Sequence, residues 1–417
     1  MKISICLFED ENYSNLLPLV YLRPVYDLRC GILTLREKIE SRFNGMEITL
    51  HSRNYLENVL RERCPNNKVN NFLMTKMLFI NGRIIINDKL MKLITKLDLN
   101  CLLKNGENII AALLDAGNIK RIISHSTDRF DFEAVKELPT TEIDATLIAY
   151  PWDLVNLNGE EIINDYKLLT KKRKSDFPKF KAVEIANKKN VFVSRGVKID
   201  PYVFLDASAG PIFLGKNVRI MSHSSVQGPC FIGNNSTIKM HASIYHNTSI
   251  GEACKVGGEV ESSIIHSYSN KQHEGFLGHS YLGSWVNIGA STNNSDLKNN
   301  YSSVDVVVNG KQINSGSQFV GLIMGDHSKT AINVMFNTGT NVGISCNIFG
   351  SGFPPKYIPS FCWGGSDFLR TYNLNKSCEV AELVMKRRSV KFTNAEKELI
   401  EAVFNFTEQE RTAKNIH

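Results

Sequence analysis

LGKNVRIMSHSSVQGPCFIGNNSTIKMHASIYHNTSIGEACKV, residues 214–256, repeats every six residues. Its phase positions are Leu214, Ile220, Val226, Ile232, Ile238, Ile244, Ile250 and Val256, all aliphatic. Four places after each stand Val218, Ser224, Cys230, Ser236, Ala242, Thr248, Cys254 and Val260, all small or β-branched. Glycine follows the aliphatic at Gly215, Gly233, Gly251 and Gly257. A period of six belongs to a coil whose sides are short strands, three to the turn. The aliphatic residue points into the prism and the small one fits near a corner. Successive coils then stack at the strand spacing of about 4.8 Å. The stretch reads as a hexapeptide-repeat parallel β-helix.

Working outward, an earlier phase, Val193, Ile199 and Leu205, joins through a slip at Gly210-Pro211. The pattern halts near Val260 and returns at Leu282 and Ile288, then at Ile332, Thr338 and Ile344. Between Val260 and Leu282, the run ESSIIHSYSNKQHEGFLGHSY (261–281) reads as a loop thrown out of one corner. Solenoids tolerate such loops, which often carry binding groups. This one holds Lys271, His273, His279 and Tyr281, with Gly275 and Gly278 allowing sharp bends. Residues 376–410 read as helical. Val380, Leu383 and Val384 fall on one face, which fits a cap on the coil. Lys386-Arg387-Arg388 either faces solvent or holds a phosphate.

The first part has a different grammar. ISICLF (3–8), MEITLHS (46–52), KMLFINGRIII (76–86) and ATLIAY (145–150) read as strands. DLRCGILTLREKIESRF (27–43), NYLENVLRER (54–63) and the run over 160–174 read as helices. Alternation of the two predicts a mostly parallel sheet with helices on its faces. KKRKSDFPKFKA (171–182), charged and carrying Pro178, reads as a solvated linker. The expected organisation is therefore an α/β domain over 1–185, a β-helix over 186–375 and a helical tail over 376–417.

Composition narrows the function. The chain has 417 residues, 42% of them hydrophobic and 22% charged, so a large core needs no disulfide or metal staple. A net charge of +7 favours anionic partners such as nucleotides or sugar phosphates. No arginine-rich tract with interleaved aromatics points to nucleic acid. Nine cysteines, an odd number without a CxxC, fit reduced thiols in a cytoplasm. The opening MKISICLFEDENY is broken by Glu9 and Asp10, unlike a signal peptide. No run of 18 apolar residues predicts a membrane span.

GHSYLGSWVNIGAST, residues 278–292, resembles the acetyltransferase segment of the bifunctional UDP-N-acetylglucosamine diphosphorylase/glucosamine-1-phosphate N-acetyltransferases. KVGGEVESSIIHSYSNKQHEGFLGHSYLG and LRPVYDLRCGILTLREK are more similar still to a divergent bacterial branch, whose members are described as sugar nucleotidyltransferases of this type. The resemblance covers nearly the whole chain and is most specific over 255–300. It implies a nucleotidyltransferase-like, Rossmann-like first domain, a left-handed β-helix and a homotrimer. It also implies acetyl-CoA as co-substrate and Mg2+ for the nucleotidyl step. Carried onto this sequence, it makes His279 the general base, an imidazole suited to deprotonating a hexosamine amine. Turns near Gly289-Ala290 would supply oxyanion donors. Tyr281 and Asn287 match contacts to the amino sugar phosphate, Ala290 a contact to acetyl-CoA, and Asn300-Tyr301 a family Asn-Tyr pair reached across a gap.

The sequence also departs from the family. Tyr245 and Ser263 stand where an arginine and a lysine grip the sugar phosphate, and Lys271, Lys255 or Lys298 is left to replace them. Leu322 takes the place of a coenzyme-binding serine. The first strand leads into FEDENYSNLLPLVYLRP with no glycine before Gly31, so the phosphate-cradling loop is missing. Arg23 and Arg29 are the candidates to bind phosphates instead, and Asp10 and Asp153 are candidate metal carboxylates. His327, in MGDHSKT, is a second histidine candidate but reads better as a corner residue.

Three functions stay open on this reading. The first is N-acetylation of glucosamine-1-phosphate in the β-helix, with or without uridylyl transfer by the α/β half. The second is sugar-1-phosphate nucleotidyl transfer alone, with the β-helix used for oligomerisation. The third is a non-catalytic sensor of sugar nucleotide or coenzyme.

Overall fold

The computed structural model describes residues 4–72, 75–123 and 128–417. The chain divides into two compact units. One contains Met1–Leu16, Leu22–Leu28 and Leu33–Ala149; the other contains Leu17–Tyr21, Arg29–Ile32 and Tyr150–His417. The division therefore falls at Tyr150 rather than near residue 185, because helix α5 (Pro151–Thr170) packs on the β-helix strands. Among the described residues no helix is long and apolar enough to cross a membrane.

The first unit is a seven-stranded sheet with helices. Its strands are β1 (Ser4–Phe8), β2 (Ile48–Leu50), β3 (Lys68–Val69), β4 (Met77–Asn81), β5 (Cys101–Asn105), β6 (Asn108–Leu114) and β7 (Thr140–Glu142), in the order β3-β2-β1-β4-β6-β5-β7. The strands from β3 to β4 run parallel, and β6 is antiparallel to both its neighbours. The sheet is thus mixed. The expected strand at 145–150 contributes only a bridge from Leu147 to Ile84. Helices α1 (Leu35–Arg42), α2 (Glu57–Arg63), α3 (Asp88–Thr95) and α4 (Ala116–Ile122) begin largely at polar caps. Thr34, Asn87 and Asp115 accept the first free N–H groups of α1, α3 and α4.

The second unit is a parallel β-helix of three stacked sheets, as the hexapeptide phase predicts. Strands eighteen residues apart pair in register: Ile220 with Ile238, Val226 with Ile244, Ile232 with Ile250. The phase residues from Val193 to Ile288 are fully or almost fully buried and form one continuous core. The later phase is corrected by two residues: Ile332 is exposed, and the inward column there runs through Met324, Thr330, Phe336, Val342 and Ile348, because the insertion before it resets the register. Corner residues such as Asn217, Asn235 and Ala253 take left-handed backbone angles, which asparagine tolerates better than most side chains.

The expected loop over 261–281 is not a loop. It is a normal coil with shorter sides, and it keeps the stack by pairing Ile250 with Ile265 and Ile265 with Leu282. Periodicity alone could not follow it, because Lys271 occupies the inward position between Val256 and Ile288. The real insertion leaves the corner after the strand Asn293–Asn294 and carries an antiparallel hairpin, Asp305–Val308 with Lys311–Asn314. The coil resumes at Ile323–Met324, paired to Tyr281–Leu282.

Both ends of the coil are closed. Phe177 and Phe180, in the segment expected to be a solvated linker, pack against the core, and Asp176 N–H donates to Val193 O at 2.7 Å. After the last strand come α6 (Leu374–Lys386), α7 (Asn394–Phe406) and α8 (Glu408–Thr412). The buried Arg411 guanidinium donates to Ser360 O and lies 4.3 Å from the Phe404 ring centroid. The tail closes the coil there, but α6 does not pack on the face expected of it: Leu383 is exposed, and Cys378, Ala381 and Met385 are the buried apolar residues.

Candidate functional site

His279 ends the strand Phe276–Gly278 and turns the corner toward Tyr281–Leu282, with φ at +43°. Its N–H donates to Glu261 O at 3.1 Å, and its carbonyl accepts from Gly321 N–H at 2.9 Å. The residue is thereby tied between neighbouring coils. Glycine is required on both sides: a Cβ on Gly278 would stand 2.2 Å from Asp296 Oδ2, and one on Gly321 would stand 1.9 Å from Gly278 O.

The imidazole is held as firmly as its backbone. Nδ1 lies 2.8 Å from Asp296 Oδ2, and the ring stacks on Phe319 with centroids 4.8 Å apart. Asp296 and Phe319 come from the two ends of the corner insertion. That neck is closed by Val320 N–H donating to Asp296 O at 2.9 Å and by a bridge between Leu297 and Phe319. Asn294 locks the turn beneath, accepting from Gly278 N–H at 3.0 Å and donating to Gly278 O at 3.1 Å. A carboxylate on Nδ1 keeps the proton there and leaves the Nε2 lone pair available. The His279 side chain stays 19% exposed, so the ring is fixed yet reachable.

Sequence reading missed Asp296 and Phe319, although the signal for Asp296 existed. Coils in this region advance by seventeen residues, as in the pairing of Lys271 with Ile288, and Asp296 follows His279 by seventeen.

The other expected residues do not gather around His279. Tyr281 is fully buried, and its hydroxyl accepts from Arg29 N–H at 2.9 Å, so it anchors residues 29–32 to the coil rather than facing a ligand. Lys271 points into the prism, where Nζ donates to Gly257 O at 3.0 Å and His273 O at 2.8 Å; burial lowers its pKa to about 8. Asn287 is exposed on a different sheet, paired to Asn270 and Lys329. Ala290 lies at another corner, and its carbonyl accepts from Asn333 N–H. The neighbouring Gly289 N–H is already given to Thr330 Oγ1 at 2.8 Å, so it is no oxyanion donor. Asn300 and the exposed Tyr301 lie on the insertion, where Asn300 Oδ1 accepts from Ser302. His327 is buried in a corner stack with Trp285 and Tyr268.

In the first unit, a cleft of about 490 Å³ opens at the carboxyl end of β1, beside Glu9, Asp10, Glu11, Arg129 and Phe132. Ligands favour this edge of a parallel sheet. The cleft's candidate metal ligand does not fit Mg2+. Asp10 takes a bidentate guanidinium from Arg83, at 2.8 Å and 2.5 Å, and an amide from Asn81 at 2.8 Å, so its oxygens are already neutralised. Asp153 is no better, since it caps α5 by accepting from Tyr150 N–H. Among the described residues no group of three acidic, histidine or cysteine side chains could hold a metal. Arg23 is buried in the first unit, where its carbonyl accepts from Arg53. Arg29 belongs to the second unit, with its guanidinium 5.2 Å from the Phe231 ring centroid and bonded to Ile32 O. Neither is presented as a phosphate ligand.

Residues 5–174 match the family model described as sugar nucleotidyl transferase. The family resemblance holds there. A bifunctional sugar-1-phosphate nucleotidylyltransferase/acetyltransferase from Sulfurisphaera tokodaii is 35% identical over 104 residues, 24% of this chain and 26% of that protein. The bifunctional protein GlmU from Methanocaldococcus jannaschii is 33% identical over 114 residues, 27% of each. The chain thus matches about a quarter of the length of these curated relatives. Among solved structures, LpxA from Bacteroides fragilis, a UDP-N-acetylglucosamine acyltransferase, is 17% identical with a TM-score of 0.35, over 56% of this chain and 84% of that one.

Proposed function

We propose that this chain is a transferase whose β-helix moves an acetyl group from acetyl-CoA to the amine of glucosamine-1-phosphate, with His279 as general base. The observation that carries the reading is the 2.8 Å pairing of His279 Nδ1 with Asp296. It leaves Nε2 to accept the amine proton as nitrogen attacks the thioester carbonyl. A C–N bond forms, the C–S bond breaks, and the imidazolium returns its proton to the departing thiolate. Asp296 keeps the ring oriented and balances the imidazolium charge, the role a carboxylate plays beside a catalytic histidine. The names of the Sulfurisphaera and Methanocaldococcus relatives support the pairing of activities. In this reading the chain works in the cytoplasm as a homotrimer, with scattering mass the check on assembly.

Nucleotidyl transfer by the first unit, UTP and N-acetylglucosamine-1-phosphate giving UDP-N-acetylglucosamine, is the second reading. The match over 5–174 and the cleft at the end of β1 favour it. The acidic rim and the neutralised Asp10 weigh against it.

The deciding experiment supplies acetyl-CoA and glucosamine-1-phosphate to purified protein, follows free thiol, and runs His279→Ala alongside. Thiol release lost in the variant is the expected result. No thiol release, with pyrophosphate formed from UTP and a sugar phosphate, would overturn the first reading in favour of the second.

A further inference from the structure

A cluster of cations on the β-helix, remote in sequence from the histidine site, has no part in the function above. Lys239 and Lys255 rise from neighbouring coils: Lys239 N–H donates to Val256 O at 2.7 Å, and Lys255 is the outward neighbour of Val256. One coil on, Asn270 is the register partner of Lys255, and its Oδ1 accepts from Arg388 Nη2 at 2.8 Å. That bond draws the residues after α6 onto the coil and brings Arg387 and Arg388 toward the two lysines. Burial, then the charges of Arg388, Lys239 and Arg387, hold the Lys255 ammonium below its usual pKa.

The four cations lack a counter-charge. None forms a salt bridge among the described residues, whereas Arg219, further along the same outward column, is paired with Asp200 at 2.9 Å. The nearby Glu252 faces Tyr268 and accepts from Asn234 at 2.8 Å. A helix C-terminus attracts cations, which accounts for Arg387 and Arg388. It does not account for Lys239 and Lys255, which sit on the coil itself. Like charges at this density cost free energy until an anion joins them.

We infer that Lys239, Lys255, Arg387 and Arg388 form a binding site for a small, multiply charged phosphate anion. Two guanidinium groups suit paired phosphate oxygens, and the ammonium groups act as point charges beside them. The site stands on geometry outside the His279 corner, so it holds or fails independently of acyl transfer.

The test is calorimetric titration of the full chain at low ionic strength, with inorganic pyrophosphate in one arm and ADP in the other. Saturable binding is expected, weakened about tenfold or more by Lys255→Ala and by Arg388→Ala, restored by Lys255→Arg, and unchanged by Lys92→Ala on α3. Unfolding curves for each variant establish that the fold is kept. ADP tighter than pyrophosphate would place the phosphates on a nucleotide; equal affinities would make the ligand a free anion. No saturable binding, or binding indifferent to Lys255 and Arg388, overturns the inference.

Discussion

Asp296 stands one coil above His279 and reaches down to its Nδ1 at 2.8 Å, so the imidazole and the carboxylate that orients it are distant in sequence but rigidly registered. Asp296→Asn keeps the size of the side chain and removes its charge. Thiol release should fall by roughly 10²- to 10⁴-fold, the range of general-base assistance. The thermal midpoint should barely move, because the pair is partly exposed. Steady-state kinetics and a melting curve on the same preparation check both halves.

Gly278→Ala tests the same pair from the other side. The added methyl would collide with Asp296 Oδ2, only 2.2 Å from where it would sit. Overpacking of this kind costs about 1–3 kcal/mol. Activity should drop more than stability, since the carboxylate is what must move. Urea titration beside the thiol assay separates the two losses.

Lys271 makes stability depend on pH. Its folded pKa, about 8, lies below the ordinary lysine value near 10.5. The folded state therefore prefers the neutral amine, whose two N–H bonds suffice for Gly257 O and His273 O. The destabilisation is fully present below pH 8 and fades as pH rises toward 10.5, at most about 3 kcal/mol in all. Lys329, partly buried and also lowered to about 8 by desolvation, acts in the same window. Lys271→Met should raise stability at pH 7 and flatten the rise between pH 8 and 10. Denaturant midpoints across that range measure it.

Ile250→Ala removes a fully buried member of the inward column. Loss of that contact should cost about 2–5 kcal/mol. An equal loss is not expected at exposed Ile332, and comparing the two in urea checks that the inward phase is the energetic one.

The coil was legible because its core demands one aliphatic residue per side, and eight in phase from Leu214 to Val256 met that demand. Legibility ended at Lys271, a polar residue in an apolar column, satisfied by carbonyls that no local pattern announces. The histidine was visible through its glycine-flanked turn, but Asp296 was not, because DLKNN has no periodicity and only the length of one coil links it to His279. In the first unit the strands β1 and β4 were plain from their apolar runs. The antiparallel return of β6 was not, since strand direction is a property of connections rather than of composition.

Phe177 and Phe180 at one end, and the Arg411–Phe404 plug at the other, have a thermodynamic consequence. In a solenoid each rung is stabilised only by its immediate neighbours, so disorder enters as a front from an exposed terminus. With both termini sealed, fraying has no starting point, and the prism is built to melt in one cooperative step rather than by peeling.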